Sequence, residues 1–146
     1  AATITAALPS SADIEVLVDH PYEIMTASDL ALTTSGTTTI ELALHGTPMV
    51  LAYKVSPVLY GLGRMLVNVD MIGLVNLIAG RLVVPEHVGW RGLADGIADD
   101  ACTLLEDDDA RGAQIEGLEE VQSKLDTPGA YDRAAEAIAA HMKRAT

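Results

Sequence analysis

One stretch constrains the fold of this chain more than any other: Leu30-Ala31-Leu32-Thr33-Thr34-Ser35-Gly36-Thr37-Thr38-Thr39-Ile40-Glu41-Leu42-Ala43-Leu44-His45-Gly46-Thr47-Pro48-Met49-Val50-Leu51. It reads as a strand over Asp29 to Thr33, a tight polar turn at Ser35-Gly36-Thr37, a helix, and a second buried strand from Met49 to Ala52. Ile40, Ala43 and Leu44 fall on one helical face at i, i+3, i+4, and Gly46 and Pro48 stop the helix. The helix therefore opens at the carboxyl end of a strand. Free N–H groups and the positive end of the helix dipole make such a position an anion site. Gly36 admits close backbone approach, and the threonines add hydroxyl donors. The same residues also fit plain capping, with Ser35 or Thr38 as the N-cap and Thr38-x-x-Glu41 as a capping box. On pattern alone both readings stand.

Upstream, Ala1 to Ser11 reads as an irregular lead-in, Ile14 to Val18 as a strand, and Pro21 to about Ser28 as a short helix with proline in its first turn. From Ile14 to Lys54 the order is β-α-β-α-β, the signature of a parallel sheet with helices on its faces. In such sheets ligands bind beyond the carboxyl ends of the strands.

Ser56-Pro57 starts a helix to about Val67 that is apolar around most of its circumference, which suits first of all burial over the sheet and otherwise a face toward lipid or a partner chain. Arg64, Asn68 and Asp70 exclude a membrane span there. Gly61-Leu-Gly63 lies inside this helical pattern and is no dinucleotide fingerprint. Met71 to Leu74 reads as extended, and Leu82-Val83-Val84 as a short strand closed by Pro85-Glu86. Asn76, Arg81 and Glu86 then stand near strand ends, as ligand contacts or as local turn bonding. Beyond Trp90, Leu93, Ile97, Ala101, Leu104 and Leu105 repeat with helical spacing. Gln114 to Leu125 and Ala130 to Lys143 give two more helices, the last with Ala134, Ala135, Ile138 and Met142 on one side.

Composition narrows the function classes. The 146 residues suit one domain, and the formal charge of −12 argues against nucleic acid and against electrostatic docking to anionic lipid. The run Glu106-Asp107-Asp108-Asp109 reads as a solvated loop. The single cysteine, Cys102, excludes a disulfide framework and reads as an inert residue on a buried helix face. No signal peptide or membrane-spanning run is evident, and a start on Ala1 suits a fragment or processed chain. The four histidines, His20, His45, His87 and His141, form no metal-ligand spacing, and no Ser/His/Asp set is recognisable. The residues alone give a phosphate-binding α/β domain.

Ala27-Ser28-Asp29, Ser35-Gly36-Thr37-Thr38-Thr39-Ile40-Glu41, Gly46-Thr47-Pro48-Met49-Val50, Tyr53-Lys54-Val55-Ser56-Pro57, Asn76-Leu77-Ile78-Ala79-Gly80 and Val84-Pro85-Glu86 occur in this order and spacing. Together they resemble the carboxyl-terminal half of the lipid-A-disaccharide synthase family, strongly from Ile14 to Glu86 and loosely in the helical tail. The resemblance implies the GT-B architecture, with this chain as its Rossmann-like donor domain: residues 1–89 a βαβ core, 90–146 a helical tail. The amino-terminal acceptor domain, expected to carry the general base, is absent by this likeness. The implied reaction is inverting transfer of 2,3-diacylglucosamine from UDP to 2,3-diacylglucosamine 1-phosphate (lipid X), without metal or other cofactor, in the cytoplasm or peripherally on the inner membrane. By likeness, Ser35, Gly36, Thr37 and Thr38 hold the diphosphate and Glu41 reaches ribose or sugar hydroxyls. Tyr53, Lys54, Asn76 and Glu86 line the donor site. Catalytic residues are expected outside this chain, which is then expected to bind donor without turning it over. Two positions depart from the family pattern: Val75 where proline is usual, and Gly89 where glutamine is usual. They keep open a rival reading, a non-catalytic binding or interaction module that retains the fold only. An epimerase shares the fold but does not explain the pattern from Tyr53 to Ala79. The Pro57–Val67 helix, as a membrane-surface contact, and the final helix, as a self-association face, are the expected sticky surfaces.

Overall fold

The computed structural model describes residues 13–34, 36–58, 71–126 and 128–144. In chain order they form α1 (Pro21–Ala27), β1 (Ala31–Thr33), α2 (Thr37–Leu44), β2 (Met49–Lys54), α3 (Leu74–Ala79), β3 (Glu86–Gly89), α4 (Ala94–Glu106), α5 (Asp108–Leu125) and α6 (Ala130–Arg144). The three strands make one parallel sheet in the order β1-β2-β3, with Ala31 opposite Met49 and Leu51 opposite Glu86. Parallel neighbours require crossovers, and α2 and α3 lie in them. This is the expected α/β class, a Rossmann-like parallel sheet flanked by helices.

β2 is the central strand, and Met49, Val50 and Leu51 are buried in succession, as a strand covered on both faces requires. The core joins Met49 and Leu51 to Leu42 and Ala43 of α2, Val75 of α3, Val84, and Leu118 and Val121 of α5. α5 packs against α2, α3 and α4, while α4 also packs on β2. One buried side chain ties α5 to the sheet. Gln114 Oε1 accepts the Met49 N–H at 2.8 Å, and its Nε2 donates to the Met49 carbonyl at 3.2 Å. It thereby satisfies both backbone groups of the residue that opens β2.

α2 ends in a Schellman motif: Thr47 N–H donates to the Leu42 carbonyl and Gly46 N–H to the Ala43 carbonyl, both at 3.0 Å. Gly46 takes φ 68°, the left-handed conformation that glycine adopts without strain. Thr47 Oγ1 then donates to the Met25 carbonyl at 2.7 Å, fastening α1 to the turn before β2.

Several sequence expectations are corrected here. Ile14 to Val18 forms no strand; Ile14, Leu17 and Val18 are about half exposed, with no ladder partner among the described residues. The buried side chains of α2 are Thr39, Leu42 and Ala43, with Ile40 packed at the core's margin, whereas Leu44 is 55% exposed. Leu74 begins a helix rather than closing an extended run. The third strand is Glu86–Gly89, not Leu82–Val84, because Asn76 occupies the backbone groups of Val83 and Val84 that a strand would need. The acidic run is no loop. Asp107 caps α5, its Oδ1 accepting from Asp109 N–H at 2.9 Å and Ala110 N–H at 3.0 Å, and Asp108 and Asp109 sit at the positive end of the helix dipole. Cys102 is exposed: Leu104 is the buried residue of α4, and two residues along a helix is about 200°, the opposite face. α6 is exposed throughout its described side chains, Ile138 at 62% and Met142 at 66% included. The lead-in Ala1 to Ser11, Ser35, and the Pro57–Val67 helix beyond Val58, including Gly61, Gly63 and Arg64, lie outside the described residues, as do Asn68 and Asp70.

Candidate functional site

The carboxyl edge of the sheet is where the chain leaves β1 for the α2 turn, β2 at Lys54 and β3 at Gly89. α2 starts at Thr37 with Gly36 as its N-cap, and no side chain among the described residues caps it. The capping box expected of Thr38 and Glu41 is not formed. Thr39 instead turns inward: fully buried, its Oγ1 donates to the Gly36 carbonyl at 2.8 Å. That bond and the Thr39 N–H on the same carbonyl at 3.2 Å fix the turn from inside. Thr37 and Thr38 remain exposed, and their N–H groups have no partner within the helix. The arrangement presents first-turn donors without a partner among the described residues at the positive end of α2, beside a glycine with nothing within 4 Å of where a Cβ would stand.

Glu41 lies one turn further along α2, half-buried. Tyr53 and Lys54 end β2, Tyr53 half-buried and Lys54 exposed, with Lys54 opposite Gly89 in the register. Thus Gly36, Thr37, Thr38, Tyr53 and Lys54 share the carboxyl edge.

Asn76 and Glu86 are brought together elsewhere, with each other. Asn76 is fully buried in α3 and uses every hydrogen-bonding position it has. Its Nδ2 donates to the Val84 carbonyl at 2.7 Å and to Glu86 Oε1 at 2.6 Å; its Oδ1 accepts from the Val83 and Val84 N–H groups at 2.7 and 2.9 Å. Glu86 Oε1 also accepts from Gly73 N–H, and Oε2 from Ile72 N–H, each at 2.9 Å. The carboxylate thereby serves the N-terminus of α3. Gly73 is glycine for space: a Cβ there would stand 2.5 Å from Leu51 Cδ1 and 2.7 Å from Glu86 Oε1. Glu86 is the first residue of β3, opposite Leu51, so it stands at the start of the strand and not past its end. Val75, the first departure from the family pattern, is fully buried in the core.

Arg81 is also accounted for away from the edge. It pairs with Glu120 of α5 at 2.9 Å, Glu120 pairs with Lys124 at 2.7 Å, and Lys124 Nζ donates to the Ile78 and Ala79 carbonyls at 3.2 and 2.9 Å. Lys124 first, and Arg81 second, hold the Glu120 carboxyl below the usual carboxylate range. Arg81 is therefore engaged as a tie between the end of α3 and α5. Two further features were missed in the sequence. His87 Nε2 and Asp100 Oδ2 meet at 2.7 Å, joining β3 to α4, and Arg91 Cζ stacks 3.7 Å over the Trp90 ring immediately after β3. The adjacency of Trp and Arg just past a strand was the available signal for the second; the first depends on a pairing thirteen residues apart.

Comparison with known proteins decides the family. The family model described as lipid-A-disaccharide synthetase matches residues 4–140. The chain belongs to this family. It is 45% identical over 114 residues to the lipid-A-disaccharide synthase of Syntrophus aciditrophicus, covering 78% of this chain and 30% of that protein. It is 42% identical over 126 residues to that of Geobacter sulfurreducens, covering 86% and 33%, and 41% identical over 131 residues to that of Anaeromyxobacter dehalogenans strain 2CP-1, covering 90% and 34%. The chain spans about a third of the length of these curated relatives. No solved structure matches it. Among the described residues no helix is long and apolar enough to cross a membrane.

Proposed function

We propose that this chain is the donor-binding part of a glycosyltransferase that moves 2,3-diacylglucosamine from UDP to 2,3-diacylglucosamine 1-phosphate. The observation that carries the reading is the N-terminus of α2, which no side chain among the described residues caps and which lies past a parallel strand, in a chain of the lipid-A-disaccharide synthase family. In the displacement an acceptor hydroxyl attacks the anomeric carbon and the bond to the UDP diphosphate breaks. Negative charge then grows on the diphosphate oxygens, and fixed N–H dipoles aimed at them favour the transition state over the ground state. In this assignment Gly36 admits the diphosphate, Thr37 and Thr38 donate to it, and Ser35, in the same turn, joins them. Glu41 meets ribose or sugar hydroxyls, and Tyr53 and Lys54 flank the sugar. Asn76 and Glu86 are assigned a supporting place, since their polar atoms are engaged within the chain. The residues form a single nucleotide-sugar-binding unit, a core to residue 89 and a helical tail, with the general base and the lipid pocket on another part of the enzyme. The exposed face of α6 and the Pro57–Val67 segment are assigned to contact with that part, with a second copy or with the membrane surface. Such an enzyme works in the cytoplasm, peripherally at the inner membrane, without a cofactor.

Backbone-amide NMR of the labelled chain titrated with UDP tests this. Shifts centred on Gly36, Thr37 and Thr38 are expected, and Gly36→Ala should abolish them while leaving the rest of the spectrum unchanged, because open space surrounds the added methyl until a ligand arrives. Saturable UDP shifts elsewhere but not at this turn would reject the assignment.

A further inference from the structure

The carboxyl edge carries a further cation, Arg91, that the donor assignment leaves unused. The chain has nine Lys and Arg against twenty-one Asp and Glu, so its field repels anions at long range and any anionic ligand needs local cations. Most described cations are committed elsewhere. Arg81 and Lys124 pair with Glu120, Arg111 donates to the Asp29 carbonyl at 2.6 Å, and Arg133 donates to the Pro128 carbonyl at 2.6 Å. Among the described side chains, the two whose cationic groups meet neither a carboxylate nor a carbonyl are Lys54 and Arg91. Both stand at the carboxyl edge: Lys54 closes β2 opposite Gly89, Val55 N–H donates to the Gly89 carbonyl at 2.9 Å, and Arg91 follows two residues later.

Arg91 is also held in place. Its guanidinium lies 3.7 Å over the face of Trp90, the chain's single tryptophan, and Asp95 in the first turn of α4 makes no ion pair with it. The contact covers one side of the guanidinium, and its N–H donors, which meet neither a carboxylate nor a carbonyl among the described residues, form the fork that matches phosphate oxygens. Gly89 contributes no side chain here and has no room for one: it is buried, and a Cβ there would stand 2.8 Å from Leu93 Cδ2. The polar reach past the end of β3 therefore comes from Arg91.

We infer that Arg91, fixed on Trp90 and seconded by Lys54, binds a phosphate monoester, that of the acceptor sugar, as an anion site distinct from the α2 turn. β2 lies between the α2 turn that follows β1 and Arg91 that follows β3, so these two are two strand spacings apart, about 10 Å, with Lys54 between them. A diphosphate seated at Gly36 does not span that interval, whereas an acceptor sugar lying beside the donor sugar carries its phosphate across it. The inference rests on the donor-site reading above.

The test titrates this chain with glucosamine 1-phosphate, following Trp90 fluorescence and indole NMR, with glucosamine as the phosphate-free control and UDP as the second ligand. Glucosamine 1-phosphate should bind equally well with and without saturating UDP. Arg91→Ala should weaken it roughly tenfold, Arg91→Lys less, and Trp90→Ala about two- to fivefold (read by backbone-amide NMR, since that variant has no indole), with UDP affinity and the urea midpoint unchanged. The dependence of binding on salt should flatten in Arg91→Ala, which a merely structural role would not produce. Competition between the two ligands, or wild-type affinity in Arg91→Ala, overturns the Arg91 site and leaves the donor reading standing. Absence of UDP binding in the wild-type chain overturns the donor reading, and the acceptor assignment with it.

Discussion

Replacing Asn76 by alanine removes four hydrogen bonds from one buried side chain, so its cost can be worked from the geometry. Three backbone groups lose this partner, the Val83 and Val84 N–H groups and the Val84 carbonyl, and Glu86 loses one of its three donors. A buried polar group left without a partner costs roughly 1–3 kcal/mol. Val83 is only half-buried and water can follow the truncation, so the lower end applies, giving about 3–4 kcal/mol in all. Against a typical total of about 5–15 kcal/mol this is a large fraction. Urea unfolding followed by far-UV circular dichroism should show a midpoint lowered by about 2 M at an m-value of about 1.5–2 kcal/mol/M. Asn76→Asp separates the chemistry from the cavity. It keeps the acceptors for Val83 and Val84 but places an oxygen where Nδ2 meets Glu86 Oε1 at 2.6 Å. Two carboxyl groups at that distance raise the pKa of the pair, so the folded state is favoured at low pH and penalised as pH rises. Asn76→Asp should therefore be the less stable of the two variants at pH 7 and should recover below about pH 5. A midpoint shift under about 0.3 M for Asn76→Ala, or a gap between the variants that ignores pH, would refute the reasoning.

Other expectations follow from the same packing. Gln114→Ala leaves the Met49 N–H and carbonyl unpaired in the core and should cost about 2–3 kcal/mol in urea unfolding. Gly117→Ala places a methyl 2.5 Å from Val83 Cγ1 and should cost about 1–3 kcal/mol, of which Val83→Ala in the same chain should return part; strict additivity of the two losses would reject the contact as the cause. Glu120 has its folded-state pKa held below 4.5 by Lys124 and Arg81, so its contribution is present above that pH and lost as pH falls through the folded value. Glu120→Gln should therefore flatten the acid limb of the stability–pH profile, and high salt should mask the difference; an unchanged limb at low salt would count against the tie.

The sequence by itself determined the βαβ unit, the turn at Gly36, and the family. Their signals are local: a period of 3.6 bounded by Gly46 and Pro48, a run of apolar residues from Met49, and motifs in fixed order. It also marked Gly36 to Thr38 as an anion site but left capping as an equal reading. Only the structure removed the capping box, by turning Thr39 inward onto the Gly36 carbonyl. Tertiary structure decided the rest through contacts between residues far apart in sequence. The strand propensity of Leu82 to Val84 yields to Asn76, whose side chain takes the backbone groups a ladder needs. Glu86, which reads as a ligand carboxylate past a strand end, becomes the partner of Asn76 and of the α3 N-terminus. Arg81 is drawn to Glu120, thirty-nine residues away. Cys102 turns outward because Leu104 fixes the rotation of α4. Ile14 to Val18 has strand composition but no partner among the described residues, and a strand exists only as part of a ladder. Propensity is a property of a segment and is written in it. Which polar groups are left over to meet a ligand depends on what the fold has already paired, and that is settled only once distant segments meet.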